Sequence, residues 1–172
     1  MTIATFAATA GVILFPLAMV YAGLMDLMTM QIRNALVLAM AGGWLLLAPL
    51  AGFTMAEMAW SFGVAFAVFV LAFFCFARGW IGGGDAKLAA VTALWFTPDQ
   101  ALLYFMYASL LGGVLTLALL QFRSRLLPAA LTGVDWIANL HAPKAGVPYG
   151  AAMAPAALIV FPQTAWLAHA VG

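Results

Sequence analysis

Long apolar runs separated by short polar breaks dominate this sequence and determine its predicted architecture. The six runs cover residues 3–30, 35–53, 57–77, 86–97, 100–120 and 149–170. Each run is continuously apolar rather than alternating, which favours helices over the strands of a membrane barrel. Five runs are near or above the roughly 20 residues that a helix needs to cross a bilayer, and the fourth is short. The pattern predicts an all-α integral membrane protein, a single domain over residues 1–172 with six transmembrane helices.

The composition supports lipid as the surrounding solvent. The chain is 67% hydrophobic and 6% charged, whereas a soluble domain carries about a quarter charged residues. The net charge of +1 gives no indication of a nucleic-acid partner, and we expect none. A single cysteine excludes an intramolecular disulfide, and the two histidines have no partner at ligand spacing. We therefore expect neither a metal nor a cofactor.

The positive charges indicate how the chain is oriented. Connections one, three and five of the six-span arrangement hold or adjoin every lysine and arginine, which are Arg33, Arg78, Lys87, Arg123, Arg125 and Lys144. Connections two and four hold Glu57 and Asp99 and no cation. Because cytoplasmic loops are enriched in Lys and Arg, connections one, three and five are predicted to be cytoplasmic and both termini non-cytoplasmic. Connection five, residues 121–148, is the one long connection, and a short helix on the membrane surface is expected there.

Two aspartates are the candidate functional residues. Asp26 interrupts the first apolar run, and an ionisable residue within a span is a functional candidate by default. Asp85 follows three consecutive glycines, Gly82, Gly83 and Gly84. As a helix, the segment from Asp85 to the proline at position 98 would span about 21 Å of the roughly 30 Å hydrocarbon core. The fourth span is thus predicted to be short and to start from an inset glycine loop, with both carboxylates at a similar shallow depth on the cytoplasmic face.

A pair of neighbouring carboxylates can hydrolyse a peptide bond. Two such groups cannot both ionise easily, so they share a proton. One can accept a proton from water while the other donates a proton to the carbonyl oxygen or the leaving amine. The glycines would tolerate unusual backbone angles and allow a substrate backbone to approach closely.

Other interpretations of the same residues stay open at this point. Asp85 could serve only as the N-cap of the fourth helix, and Asp26 could pair with Arg33 or Lys87. Lys87 could be an interfacial anchor that extends its amine to the surface. A small ion-coupled membrane transporter could use Asp26, Asp85 and Lys87 as an ion relay. A non-catalytic assembly scaffold is a third hypothesis.

Three motifs resemble one known family. Gly82-Gly83-Gly84-Asp85 fits the G-x-G-D motif of polytopic aspartic proteases, and the wider stretch GGGDAKLAAVTALW is similar to the type IV prepilin peptidases. Asp26 is followed by Ile32-Arg33-Asn34 at the spacing of that family's Ile-Pro-Asn, with Arg33 in place of the proline. Val147-Pro148-Tyr149-Gly150, at the start of the last span, resembles the family's I/V-P-Y/F-G.

The resemblance implies a function and assigns roles to residues. Such enzymes remove the short basic leader from prepilin or pseudopilin precursors at the cytoplasmic face of the bacterial inner membrane, the same face that the cations indicate. Asp26 and Asp85 would be the catalytic pair, and the three glycines the motif loop. The candidate residues for supporting or substrate contacts are Lys87, Asn34, Pro148, Tyr149 and Gly150.

The resemblance also suggests a subtype. Larger members carry an N-terminal cytoplasmic segment with paired cysteines and methylate the new N-terminus. This chain has one cysteine and no room before its first run, so we expect peptidase activity without methylation. Its size is similar to that of the short forms associated with tight-adherence (Flp-type) pili. No oligomeric state is predicted.

Overall fold

The computed structural model describes residues 2–143 and 145–171, so Lys144 lies outside the described residues. All regular secondary structure in that part of the chain is helical. The helices are α1 Ile3–Thr29, α2 Asn34–Leu50, α3 Met55–Ala77, α4 Gly83–Ala93, α5 Pro98–Arg123, α6 Asp135–His141, α7 Gly150–Val160 and α8 Ala165–Val171. Single 3₁₀ turns occur at Ala129–Leu131 and Phe161–Gln163.

Not every helix is long enough to cross a membrane. Helices α1, α3 and α5 are long and apolar enough to do so, and α7 and α8 add a fourth candidate if they form one span bent by 50°. Helix α2 is apolar but has 17 residues, and α4 has 11. Large exposed apolar side chains, including Phe66, Leu71 and Phe73 of α3, face outward, as expected for contact with lipid. The chain is therefore a multi-pass helical membrane protein, whereas the six-span topology stays a prediction.

Several sequence-based boundaries were wrong. Helix α4 ends at Ala93, about 16 Å from its start, and does not continue to Pro98. The chain turns instead at Leu94–Phe96, because Trp95 and Phe96 pack into the core. The last apolar run is likewise broken, at Phe161–Gln163, since the proline at position 162 has no N–H for a helical hydrogen bond.

The acids Glu57 and Asp99 were predicted to lie in connections, and both lie in first turns of helices. Glu57 accepts a hydrogen bond from the Thr54 N–H at 2.8 Å, and its own N–H donates to the Thr54 hydroxyl at 3.2 Å. This reciprocal arrangement satisfies two N–H groups at the start of α3. Asp99 is in the first turn of α5, where the helix dipole favours a negative charge. Beyond the end of α5, the described residues of connection five form the short α6 and a 3₁₀ turn.

Helix α1 packs against α2, α7 and α8. A Cβ atom added at Gly23 would lie 2.8 Å from the Ala154 Cβ atom, and one added at Gly11 would meet the ring of Trp166. Increasing residue numbers in α1 thus face decreasing numbers in α7 and α8, which makes the packing antiparallel. Glycine at these positions lets the helix backbones approach closely.

A cluster of aromatic side chains fills the core where α1 meets the end of α4 and the break between α7 and α8. The Phe15 ring lies 5.1 Å from the Trp95 ring and 4.4 Å from the Phe161 ring, between centroids. The Trp95 ring in turn lies 4.8 Å from that of Trp166. This packing fixes the depth of α4 relative to α1, and so determines that Asp26 and Asp85 lie toward the same end of the molecule.

Candidate active site

The register between α1 and α4 brings Asp26 and Asp85 to the same level. The Thr92 hydroxyl lies 3.4 Å from the Met19 sulfur, and Trp95 contacts Phe15, so the two helices run antiparallel. Asp26 is seven residues beyond Met19, and Asp85 is seven residues before Thr92. Seven residues of helix rise about 10 Å. Both aspartates therefore lie about 10 Å from the Met19–Thr92 contact, toward the same end of the molecule.

Asp26 lies in the last turn of α1 and is 5% exposed. Its Oδ2 atom accepts a hydrogen bond of 2.7 Å from the backbone N–H of Gly150, the first residue of α7. Helix α1 ends just beyond it at Met30, which adopts a left-handed conformation with φ 55° and donates its N–H to the Asp26 carbonyl oxygen. The carboxyl group is thus fixed between the end of one helix and the start of another.

Asp85 is the third residue of α4 and is partly buried. Its carboxyl group lies beside the Gly82 backbone: a Cβ atom at Gly82 would be 3.0 Å from the Asp85 Oδ2 atom. The Gly150 backbone also lies near this carboxyl group, and the Asp26 carboxyl is close enough for its charge to influence that of Asp85. The start of α7 therefore hydrogen-bonds to the Asp26 carboxyl group and lies near that of Asp85.

The glycine motif differs from the predicted inset loop. Gly82 is the N-cap of α4, while Gly83 and Gly84 are its first two residues. The N-cap role proposed for Asp85 is also wrong, since Asp85 is already inside the helix. A Cβ atom at Gly83 would lie 3.1 Å from the Phe76 ring, and one at Gly84 would lie 3.2 Å from the Ile32 Cβ atom. The glycines thus allow α4 to pack closely against α3 and the first connection.

The segment that leads to Gly150 is held by Arg123 at the end of α5. The Arg123 Nε atom donates to the Leu140 carbonyl oxygen at 2.7 Å, and Nη2 donates to the Gly146 carbonyl oxygen at 2.8 Å. Pro148 is fully buried. These contacts give the long last connection a structural role, because they fix the chain just before the residue that binds Asp26.

The remaining candidates occupy the surroundings of the site. The Lys87 amine donates to the Asn34 side-chain oxygen at 2.8 Å, and both residues are exposed. This contact joins α4 to the start of α2. The Tyr149 ring packs on Gly112, where an added Cβ atom would be 3.2 Å away. Within the described ranges, no group of three or more His, Cys, Asp or Glu side chains could hold a metal ion.

Some residues near the site were not anticipated. Thr92 of α4 and Tyr104 of α5 are fully buried. In the sequence, Arg123 was considered only as one of the positive charges that indicate the orientation of the chain in the membrane. A cavity beside Asp85 is lined by Trp80, Ala108 and other apolar residues. The sequence carries no local signal for these contacts, because they depend on which faces of α4, α5 and α7 meet.

The comparisons with known proteins bear on the first two thirds of the chain. A model of the type IV leader peptidase family matches residues 13–117, a range that includes both Asp26 and Asp85. Searches of curated proteins and of solved structures give no significant match. The family match covers more than half of the sequence and includes the glycine motif. The chain belongs to the type IV leader peptidase family, aspartic peptidases that cleave the leaders of prepilins.

Proposed function

We propose that this chain removes the short basic leader of prepilin-like precursors at the cytoplasmic face of the bacterial inner membrane, with Asp26 and Asp85 as its catalytic pair. One carboxylate accepts a proton from the attacking water while the other, protonated, donates its proton to the carbonyl oxygen. As the C–N bond breaks, the first carboxyl passes the proton taken from water to the leaving amine, and a hydroxyl of the diol returns a proton to the second carboxylate. Because the two groups titrate as a coupled pair, the acid and base roles belong to the pair.

The convergence of both carboxyl groups on the Gly150 backbone supports this proposal. The Gly150 N–H donates to the Asp26 carboxylate at 2.7 Å, and the same backbone adjoins the Asp85 carboxyl. A rigid helix start between two acids restricts their motion, which preorganises a site for proton transfer. Substrate classes such as Flp-type prepilins are proposed from the sequence resemblance alone.

The contact made by Lys87 argues against the transporter alternative. In an ion relay, the Lys87 amine would be expected to pair with the aspartate carboxylates. Instead, it donates a hydrogen bond to the Asn34 side chain on the exposed surface. Asp26 and Asp85 also lie at helix ends rather than halfway along α1 and α4. Carrier sites typically lie near the bilayer midplane. The family match likewise favours a peptidase.

Precursor processing in membranes tests the catalytic pair. Wild type would be compared with Asp26→Asn and Asp85→Asn, each co-expressed with a prepilin precursor that wild type cleaves. Asparagine keeps the size of aspartate but cannot cycle a proton, so each variant should lose at least a hundredfold in cleavage rate, within the range for general acid–base groups. The readout is the ratio of cleaved to uncleaved precursor at equal enzyme level.

Asp99→Asn is the matched control. Asp99 is an exposed aspartate at the start of α5, on the far side of the core from the pair. This variant should process the precursor as wild type does. Retained cleavage by a well-expressed Asp85→Asn enzyme would show that Asp85 has only a structural role, and the proposed mechanism would have to be abandoned.

A further inference from the structure

A cavity of about 250 Å³ lies at the end of the molecule opposite the two aspartates. Its walls come from α2, the starts of α3 and α5, the turn after α4 and the break between α7 and α8. Trp95, one of the lining residues, is ten residues beyond Asp85. Ten residues of helix rise roughly 15 Å. The cavity is therefore separate from the candidate active site.

Six aromatic side chains line this cavity: Trp44, Phe53, Trp60, Trp95, Phe96 and Trp166. Trp44, Trp95 and Trp166 are at most 2% exposed. The Trp166 ring lies 4.7 Å from the Phe53 ring and 4.8 Å from the Trp95 ring, between centroids. Buried tryptophans of this kind do not belong to the belt of exposed rings that anchors a protein in the membrane interface. Aromatic rings held around a cavity attract organic cations.

The polar groups of the cavity can also accept hydrogen bonds from a cation. Glu57 lies at its rim in the first turn of α3, and Ser61, which is 9% exposed, lies one turn further on. The N–H and the hydroxyl of Thr54 both donate to the Glu57 Oε2 atom at 2.8 Å, which fixes the carboxylate and leaves Oε1 for a ligand. No lysine, arginine or histidine is among the described residues that line the cavity. The site thus offers negative charge without positive charge.

An ammonium group that carries N–H donors fits this combination. Removing a charge from water is costly unless new partners replace its hydration. A primary ammonium has three N–H donors, and Glu57 and Ser61 supply oxygen acceptors beside the aromatic rings. A trimethylammonium group has no N–H to donate, and an anionic head group would be repelled by the Glu57 carboxylate. Because lipid surrounds the helices, an ethanolamine phospholipid can present a primary ammonium at the membrane surface.

We propose that this cavity binds the primary ammonium of an ethanolamine phospholipid from the adjacent leaflet. The distribution of lysine and arginine predicts that this leaflet is the non-cytoplasmic one. The inference goes beyond the proposed function, because it requires neither Asp26 nor Asp85. A bound head group would connect the starts of α3 and α5 to the break before α8. Binding to the folded state alone should raise the stability of the protein.

Lipid binding to the purified full-length protein tests this assignment. Soluble dioctanoyl phospholipids with ethanolamine, choline or glycerol head groups would be titrated in detergent, alongside ethanolamine alone. Native mass spectrometry would give the fraction of protein that carries one lipid, and thermal unfolding would give the melting temperature. The ethanolamine lipid should bind most tightly and should raise the melting temperature. Equal binding of the choline or glycerol lipid would overturn the assignment to a primary ammonium. An equal effect of ethanolamine alone would overturn the assignment to a lipid.

Glu57→Gln tests the carboxylate. Glutamine can take the place of glutamate in a capping box, so the start of α3 should be kept while the charge is removed. The affinity for the ethanolamine lipid should fall about two- to fivefold, as expected for an exposed ion pair. Asp99→Asn is the matched control, because Asp99 lies between the lining residues Pro98 and Gln100 but does not itself line the cavity. Unchanged affinity in Glu57→Gln, or an equal loss in both variants, would overturn the proposal.

Trp60→Ala tests the aromatic wall. Trp60 is 68% exposed, so its removal should leave the core intact, and the affinity should fall about two- to fivefold through the loss of a cation–π contact. Phe66→Ala is the control, because Phe66 is 69% exposed on the same helix and does not line this cavity. An equal loss in both variants would indicate general contact with lipid and would overturn the site. Neither measurement uses precursor cleavage, so a failure here is distinguishable from a failure of the proposed function.

Discussion

At the scale of single residues, the structure shows a contact of Gly150 that the sequence did not predict. The last-span motif was expected only to contact the site. The structure shows that its glycine donates the backbone hydrogen bond to Asp26. An added Cβ atom would lie 2.8 Å from the Asp26 Oδ2 atom and 3.0 Å from the Asp26 Cβ atom. No L side chain fits there unless the carboxyl group moves.

We therefore predict that Gly150→Ala reduces precursor cleavage strongly while the protein still accumulates in membranes. A displacement of about 1 Å in a catalytic group can reduce the rate about a hundredfold. Gly113→Ala is the control, since nothing lies within 4 Å of a Cβ atom at that helical position. Cleavage rates per enzyme molecule would be compared. Wild-type cleavage by Gly150→Ala would show that the Asp26 geometry is not critical.

The glycine motif illustrates what residue patterns predicted and what they missed. The motif and the placement of Asp26 near the end of α1 could be predicted because each is a local feature of the sequence. The helical state of Gly83 and Gly84 could not, because it depends on contacts with Phe76 and Ile32. Glycine has weak helix propensity, so a loop was the reasonable local expectation.

At the scale of helices, the close approach of α1 and α7 brings Gly150 to Asp26. Gly23 is the point of closest contact, because a Cβ atom there would lie 2.8 Å from the Ala154 Cβ atom and 3.4 Å from the Gly150 carbonyl oxygen. The two helices can approach this closely only where neither presents a large side chain. The site therefore depends on packing one turn away from the aspartate.

We predict that Gly23→Leu separates the helices and destabilises the protein by about 1–3 kcal/mol, as overpacked cores usually do. Cleavage should also fall, because the Gly150 N–H moves away from Asp26. The matched control is Gly63→Leu in α3, where an added Cβ atom meets nothing within 4 Å. Thermal stability in detergent and cleavage would be measured together. An unchanged melting temperature for Gly23→Leu would contradict close packing at this point.

At the scale of the whole molecule, the distribution of charge predicts which side of the membrane carries the site. Connections one and three contain Arg33 and Arg78, which are each seven residues along the chain from Asp26 and Asp85 respectively. Asp99 lies in the first turn of α5, at the end of the molecule opposite the two candidate aspartates. The positive-inside rule then assigns the aspartate end to the cytoplasm. Orientation is a property of the chain in a bilayer and requires a direct measurement.

Cysteine accessibility would provide that measurement. In a Cys75→Ala background, Asp99→Cys should react with a membrane-impermeant maleimide in intact spheroplasts. Asp135→Cys, in the long connection before α7, should react only after the membrane is permeabilised. Both aspartates are exposed, so a failure to react reports the membrane barrier rather than burial. The reverse labelling pattern would place the candidate site outside the cytoplasm and would contradict the proposed function.

The sequence by itself determined the environment and the chemistry of this protein. Apolar runs with few charges require lipid, and two isolated acids next to characteristic motifs identify a family of aspartic peptidases. These conclusions depend on composition and on short segments, which a linear chain shows directly. The tertiary structure decided helix ends, the meeting of Asp26 with Gly150, and the cavity beside Asp85. Each of these depends on which helix faces pack together, and the energy of such packing comes from residues far apart in the chain.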